Sequence, residues 1–219
     1  GALAALFTAA KFNPVPLAAL ALAAAFLGLL APADEPPTMA RPLWRLSAAV
    51  AASAALFVCL RLARADHWFL RGRVTRDVGR EDLAAGSFAE ALRLNPYEPK
   101  FRMAAVSFLL DRSARASGTE KAELLAAARR VSADGLARRP GHADSWQTEG
   151  VLLARIARQG DGSGWPAAAA ALDRALELDP WFPSLLAARA AVAEGMGDAE
   201  VRAAVSARQA RLRELTGGR

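Results

Sequence analysis

The sequence predicts an all-α chain, a transmembrane helical hairpin followed by an α-solenoid of about four helix pairs. Three observations predict it. Apolar, charge-poor segments fill the first 65 of 219 residues, and charge becomes dense and regular beyond them. Pro96, Pro140 and Pro180 recur at steps of about 40 residues, each behind a helix-like stretch. The stretches that end at Pro96 and Pro180, FAEALRLNP and LDRALELDP, agree closely at a spacing of 84.

The membrane region is expected over 1–65. Residues 15–31 (VPLAALALAAAFLGLLA) carry no charge. With 12–14 they approach the ~20 residues that cross a ~30 Å hydrocarbon core. Spans are placed at about 13–32 and 43–62, with 1–10 as the end of an earlier one. The second contains LSAAVAASAALFVCL, bracketed by Arg45 and Arg61, whose side chains can snorkel to the interface. Trp44 and Trp68 lie near its ends, where amphipathic rings settle. A proline-rich connection, ADEPPTMARP over 33–42, joins the two. A buried core helix is the competing reading, but a helix on a soluble domain needs a wet face, which neither run has. A secretory signal is another: Lys11 as its charged start, 17–30 as its apolar part and cleavage after Ala33. The chain opens on Gly1, so a fragment or a processed product is expected.

The soluble region is expected over 66–219. The net charge of +6 divides evenly. The first 65 residues hold five basic and two acidic side chains, the remaining 154 hold twenty-three and twenty. Acidic residues are interspersed among the arginines with no basic block, so the high pI reflects an Ala/Arg-rich composition and nucleic acid is not expected as a partner. The one cysteine, Cys59, excludes an internal disulfide and a zinc cluster.

Within 66–219 a repeat is legible. Trp68, Gly72, Ala84, Phe88, Ala91 and Pro96 stand at the spacings W-x3-G, then A-x3-F-x2-A-x4-P. Trp68 and Gly72 share one face of a first helix, the glycine removing bulk where the second helix crosses. Ala84, Phe88 and Ala91 make an i, i+4, i+7 stripe on that second helix. Gly79 marks the turn. These residues resemble the tetratricopeptide (TPR) repeat, with Arg71 and Thr75 in place of its Leu and Tyr. Trp146, Gly150, Ala168, Leu172, Ala175 and Pro180 repeat the set, with six more residues between glycine and alanine, assigned to the turn over 159–166. Between these copies lies a degenerate unit with helices over 99–111 and 119–138, Thr119 its N-cap. The last unit has helices over 184–194 and 198–215, with Asp198 as N-cap.

The search for chemistry finds no catalytic, cofactor-binding or metal-binding residues. His67 and His142 have no ligand-spaced partners, Gly160, Gly162 and Gly164 precede Trp165 and Pro166 rather than a phosphate-loop lysine, and no serine sits in a nucleophile elbow. Candidate partner-binding residues are Arg71, Arg102, Gln147 and Arg189, on the first helices that line a solenoid's groove, and Trp165, which either anchors a partner or folds back over the helix-pair turn. Trp181 and Phe182 are expected to fill the joint between two units.

The order of parts also resembles the C-terminal part of the O-antigen ligase and polymerase superfamily. The matching residues are Phe12, Asn13, Pro16 and Leu27, Gly28, Leu29, followed by one further span and a TPR tail. The resemblance implies a bacterial inner-membrane glycan-assembly protein, of which this chain is the C-terminal fragment. The family's catalytic residues would lie upstream, and another protein or a glycan-carrier complex would dock in the groove. The alternative is a stand-alone, membrane-anchored scaffold with no enzymatic activity. The resemblance places the repeats outside the cytoplasm. Arg61, Arg64, Arg71, Arg73 and Arg76, counted against Arg41 and Arg45, place them inside.

Overall fold

The computed structural model describes residues 40–160 and 162–215. Among the described residues there are eight α-helices. They are α1 (Ala40–Asp77), α2 (Glu81–Leu94), α3 (Pro99–Arg115), α4 (Gly118–Arg138), α5 (Ala143–Gln159), α6 (Trp165–Leu178), α7 (Pro183–Met196) and α8 (Ala199–Leu215). The chain divides into two units, Gly1–Leu70 and Arg71–Arg219.

In the second unit the helices follow one another as antiparallel pairs. From α2 onward each packs against the next across a pair or between units, and the first helices α3, α5 and α7 lie side by side. Local chemistry sets the boundaries. Asn95, Arg139 and Asp179 each precede a proline, which disfavours helical dihedrals in the residue before it. All three adopt the same conformation, with φ of −137°, −141° and −141°. The next helix then starts three residues beyond each proline, at Pro99, Ala143 and Pro183. Gly79 and Gly197 close the turns within the first and last pairs at φ of 75° and 70°, a region open to glycine at little cost.

Two glycines let the pairs close. A Cβ on Gly72 would stand 2.9 Å from the Phe88 ring, and one on Gly150 would stand 2.6 Å from Leu172 Cγ. Around these crossings the core is continuous in kind. Val106, Leu110, Ala128 and Leu152 join α3, α4 and α5, while Leu172, Leu176, Leu185, Leu186, Val192 and Val205 join α6, α7 and α8. Burying each such aliphatic side chain contributes roughly 1.5–3 kcal/mol before entropy is counted.

Three expectations need correction. The six extra residues of the third unit do not all belong to its turn. Helix α5 runs nine residues past Gly150 where α1 runs five past Gly72, and the linking loop is five residues instead of three. Four residues therefore add a helical turn to α5. Thr119 is not the cap of α4, which begins at Gly118 with Ser117 before it. Trp181 and Phe182 do not fill the joint. They stay 44% and 37% exposed, and the Arg208 guanidinium lies 5.1 Å from the centre of the Trp181 ring.

The expected spans fare differently. Those at 1–10 and 13–32 lie outside the described residues. Among the described residues no helix is long and apolar enough to cross a membrane. The uncharged run 46–60 of α1 covers about 22 Å at the helical rise per residue, short of the ~30 Å core, before Arg61, Arg64 and Asp66 interrupt it. The transmembrane hairpin is thus without structural support.

Candidate functional site

The first helices form a groove of about 540 Å³. Its residues come from a register that the unit-ending prolines define. Lys100 and Met103 stand four and seven residues after Pro96, Asp144 and Gln147 four and seven after Pro140, and Ser184 four after Pro180. This register places a polar or charged residue four after each proline on one face, with Met103 and Gln147 beside it at seven. Met103, Val151, Ala188 and the Phe182 ring supply apolar surface. Glu98, Lys100 and Asp144 put both signs of charge at its edge. Gln147 Nε2 donates to Ser184 Oγ at 2.7 Å, tying α5 to α7 across the groove. The amide oxygen of Gln147 and the hydroxyl proton of Ser184 then remain as an acceptor and a donor for a bound chain. A smaller cleft of about 160 Å³ continues from it, sharing Val151 and Ala188 and ending at Arg155, Arg158 and Trp165.

The five candidate residues do not converge. Gln147 lines the groove. Trp165 opens α6, where a Cβ on Gly195 would stand 2.6 Å from its Cζ2, and one ring edge faces the smaller cleft. Arg189 is 7% exposed and is held by Asp173, with Nε donating to Oδ1 at 2.6 Å and Nη2 to Oδ2 at 3.3 Å. Arg71 is exposed on α1, its carbonyl accepting the Thr75 hydroxyl at 2.8 Å. Arg102 points away from the groove. It is 1% exposed, lies against Gly135 of α4, and donates from Nη2 to the Pro96 carbonyl at 2.6 Å. Burial pushes its guanidinium below the ordinary arginine value, Asp134 opposes that, and Arg139 and Arg138 add to it.

Met103, Asp144, Phe182 and Ser184 were not legible as groove residues one by one. Recurring offsets from the prolines are the signal that finds them: four residues for Asp144 and Ser184, seven for Met103 as for Gln147, and two for Phe182 as for Glu98. Among the described residues no group of three or more His, Cys, Asp and Glu could hold a metal ion.

Paired helices, glycine crossings and proline-timed units describe one known architecture. The fold is TPR-like. The chain resembles a solved thermophilic TPR protein, TTC0263 from Thermus thermophilus, with a TM-score of 0.58 at 19% identity over 78% of this chain and 86% of that one. MamA protein resembles it with a TM-score of 0.47 at 15% identity, over 69% of this chain and 74% of that one. No family model matches the chain, and no curated protein matches it. Nothing in these comparisons supports the resemblance to O-antigen ligases and polymerases, nor a glycan carrier as partner.

Proposed function

We propose that this chain is a protein–protein interaction scaffold whose groove, lined by α3, α5 and α7, seats an extended segment of a partner protein. The observation that carries the reading is the Gln147–Ser184 bridge set among Met103, Val151, Ala188 and Phe182. An apolar floor takes side chains of the bound segment. The bridge offers its backbone one donor and one acceptor, and Glu98, Lys100 and Asp144 select its charges at the edge. Photo-crosslinking from Met103 or Val151 in the full chain tests it. Specific adducts are expected from these positions and none from Ala204 on α8. Equal labelling from all three would overturn it.

A second reading concerns α1. Leu46, Val50, Leu56, Phe57, Val58 and Leu60 are all exposed along one stretch of helix. An apolar patch of that extent favours contact with a bilayer or another apolar surface. We propose that α1 anchors the scaffold at a membrane. Cys59 is the one cysteine and sits within the patch, so it takes an environment-sensitive fluorophore without further substitution. A blue shift on adding lipid vesicles is expected. No shift would leave α1 to a protein partner.

A further inference from the structure

A cleft of about 560 Å³ that shares no lining residue with the groove lies in the second unit, between α2, α3 and α4. Four arginines line it: Arg93, Arg102, Arg130 and Arg138. Two are compensated. Arg93 is bound by Glu90 at 2.8 and 2.7 Å, and Arg138 by Asp134 at 2.9 and 2.7 Å. The other two make no such contact pair. Among the described residues neither Arg102 nor Arg130 has a carboxylate within ion-pair distance.

Arg102 is the more telling of the two. A buried cation is costly unless it is paired and hydrogen-bonded. Among the described residues its one hydrogen bond goes to the Pro96 carbonyl, and it makes no ion pair, yet it forms part of the cleft wall. Gly135 is what admits it, since a Cβ there would fall 2.3 Å from Arg102 Nε. The fold therefore accommodates in the cleft wall a guanidinium that no carboxylate contacts, with Asp134 acting on it only at longer range and Arg130 exposed on the rim.

We infer that this cleft binds a phosphoryl dianion, held by Arg102 and Arg130, the two guanidiniums that no carboxylate contacts, with Arg93 and the Arg138–Asp134 pair on its flanks. Planar guanidinium forks match phosphate oxygens in geometry as well as charge. The site is separate from the groove on the first helices, so it stands or falls independently of the docking proposal.

Calorimetric titration of the full chain with pyrophosphate tests the inference, beside flotation with phosphatidate-containing and pure phosphatidylcholine vesicles. Saturable binding of one pyrophosphate is expected. In Arg130→Gln, an exposed change that leaves the core intact, it should be about tenfold weaker. Arg102→Gln should abolish it, and circular dichroism would show whether that variant still folds. Flotation that prefers phosphatidate and is lost in Arg130→Gln assigns the phosphoryl group to a lipid headgroup, whereas pyrophosphate binding with no such preference assigns it to a soluble ligand. Absence of saturable binding in both assays overturns the inference, as does binding that Arg130→Gln leaves unchanged.

Discussion

Gly150 of α5 and Leu172 of α6 meet with no space for a side chain between them: a Cβ on the glycine would lie 2.6 Å from Leu172 Cγ and 3.3 Å from the Ala168 carbonyl oxygen. Leu172 is fully buried, and its Cγ can move only by carrying both methyl groups into the packed core around it. The same relationship joins Gly72 to Phe88 in the first unit. This contact is the physical content of the glycine–large residue spacing in the sequence.

Gly150→Ala should therefore destabilise the solenoid by about 1–3 kcal/mol through overpacking. Gly86→Ala supplies the contrast. It lies in the interior of α2 with nothing within 4 Å of its Cβ position. Relief of backbone entropy should stabilise that variant by about 0.5–1 kcal/mol. Urea midpoints of the two variants should move in opposite directions. A shift in the same direction would mean that the crossing is looser than the contact distance implies.

Arg112 ties three helices together. Its guanidinium reaches Glu81 at 3.3 Å, Asp82 at 3.6 Å and Glu120 at 3.5 Å, and Arg115 reaches Glu81 at 2.5 Å. Arg112 is 22% exposed, so solvent screening is only partial. Arg112→Met should cost about 1 kcal/mol near 0.1 M salt, and less near 1 M, where the Debye length falls to about 3 Å. Thermal melts across a salt series measure this, and a salt-independent loss would assign the effect to packing of the arginine stem.

Asp198 caps α8, its carboxylate accepting the Val201 N–H at 3.0 Å. Asp198→Ala should cost about 1 kcal/mol, and Asp198→Asn much less. Hydrogen exchange should localise the loss to the first turn of α8. Uniform loss of protection across α7 and α8 would instead make the cap part of the global unfolding unit.

Trp165 closes the joint between α6 and α7 by lying over Gly195. Its truncation to alanine should cost about 3 kcal/mol through the cavity left behind. Gly195→Val should displace the ring without removing it, and a red-shifted tryptophan emission would report the displacement. Unchanged emission would show that the joint opens elsewhere.

Much of the solenoid was legible because its determinants are local. Pro96, Pro140 and Pro180 time the units through the conformation each imposes on the residue before it. Asp198 was readable as a cap, and Gly72 and Gly150 as crossing points, because both signals depend on short, constant spacings. The third-unit insertion was not readable. The spacing of glycine and alanine gives the number of extra residues but not how they divide between helix and loop, and in the folded chain four of the six extend α5.

The candidate site was less legible. Arg102 and Gln147 both stand on first helices, yet Gln147 faces the groove and Arg102 lies against Gly135 of α4. Helical periodicity gives the angle between two residues of one helix, but not how that helix is rotated against its neighbours.

The sequence by itself determined an all-α chain of paired helices, where each unit starts, and which small residues let each pair close. Only the tertiary structure decided which side chains share a surface: Met103, Gln147 and Ser184 in the groove, Arg102 and Arg130 in the separate cleft, and Arg189 against Asp173. The physical reason is range. Caps, turns and crossings act over a few residues, whereas a surface is assembled from units some 40 residues apart, whose relative rotation is set by packing across the joints.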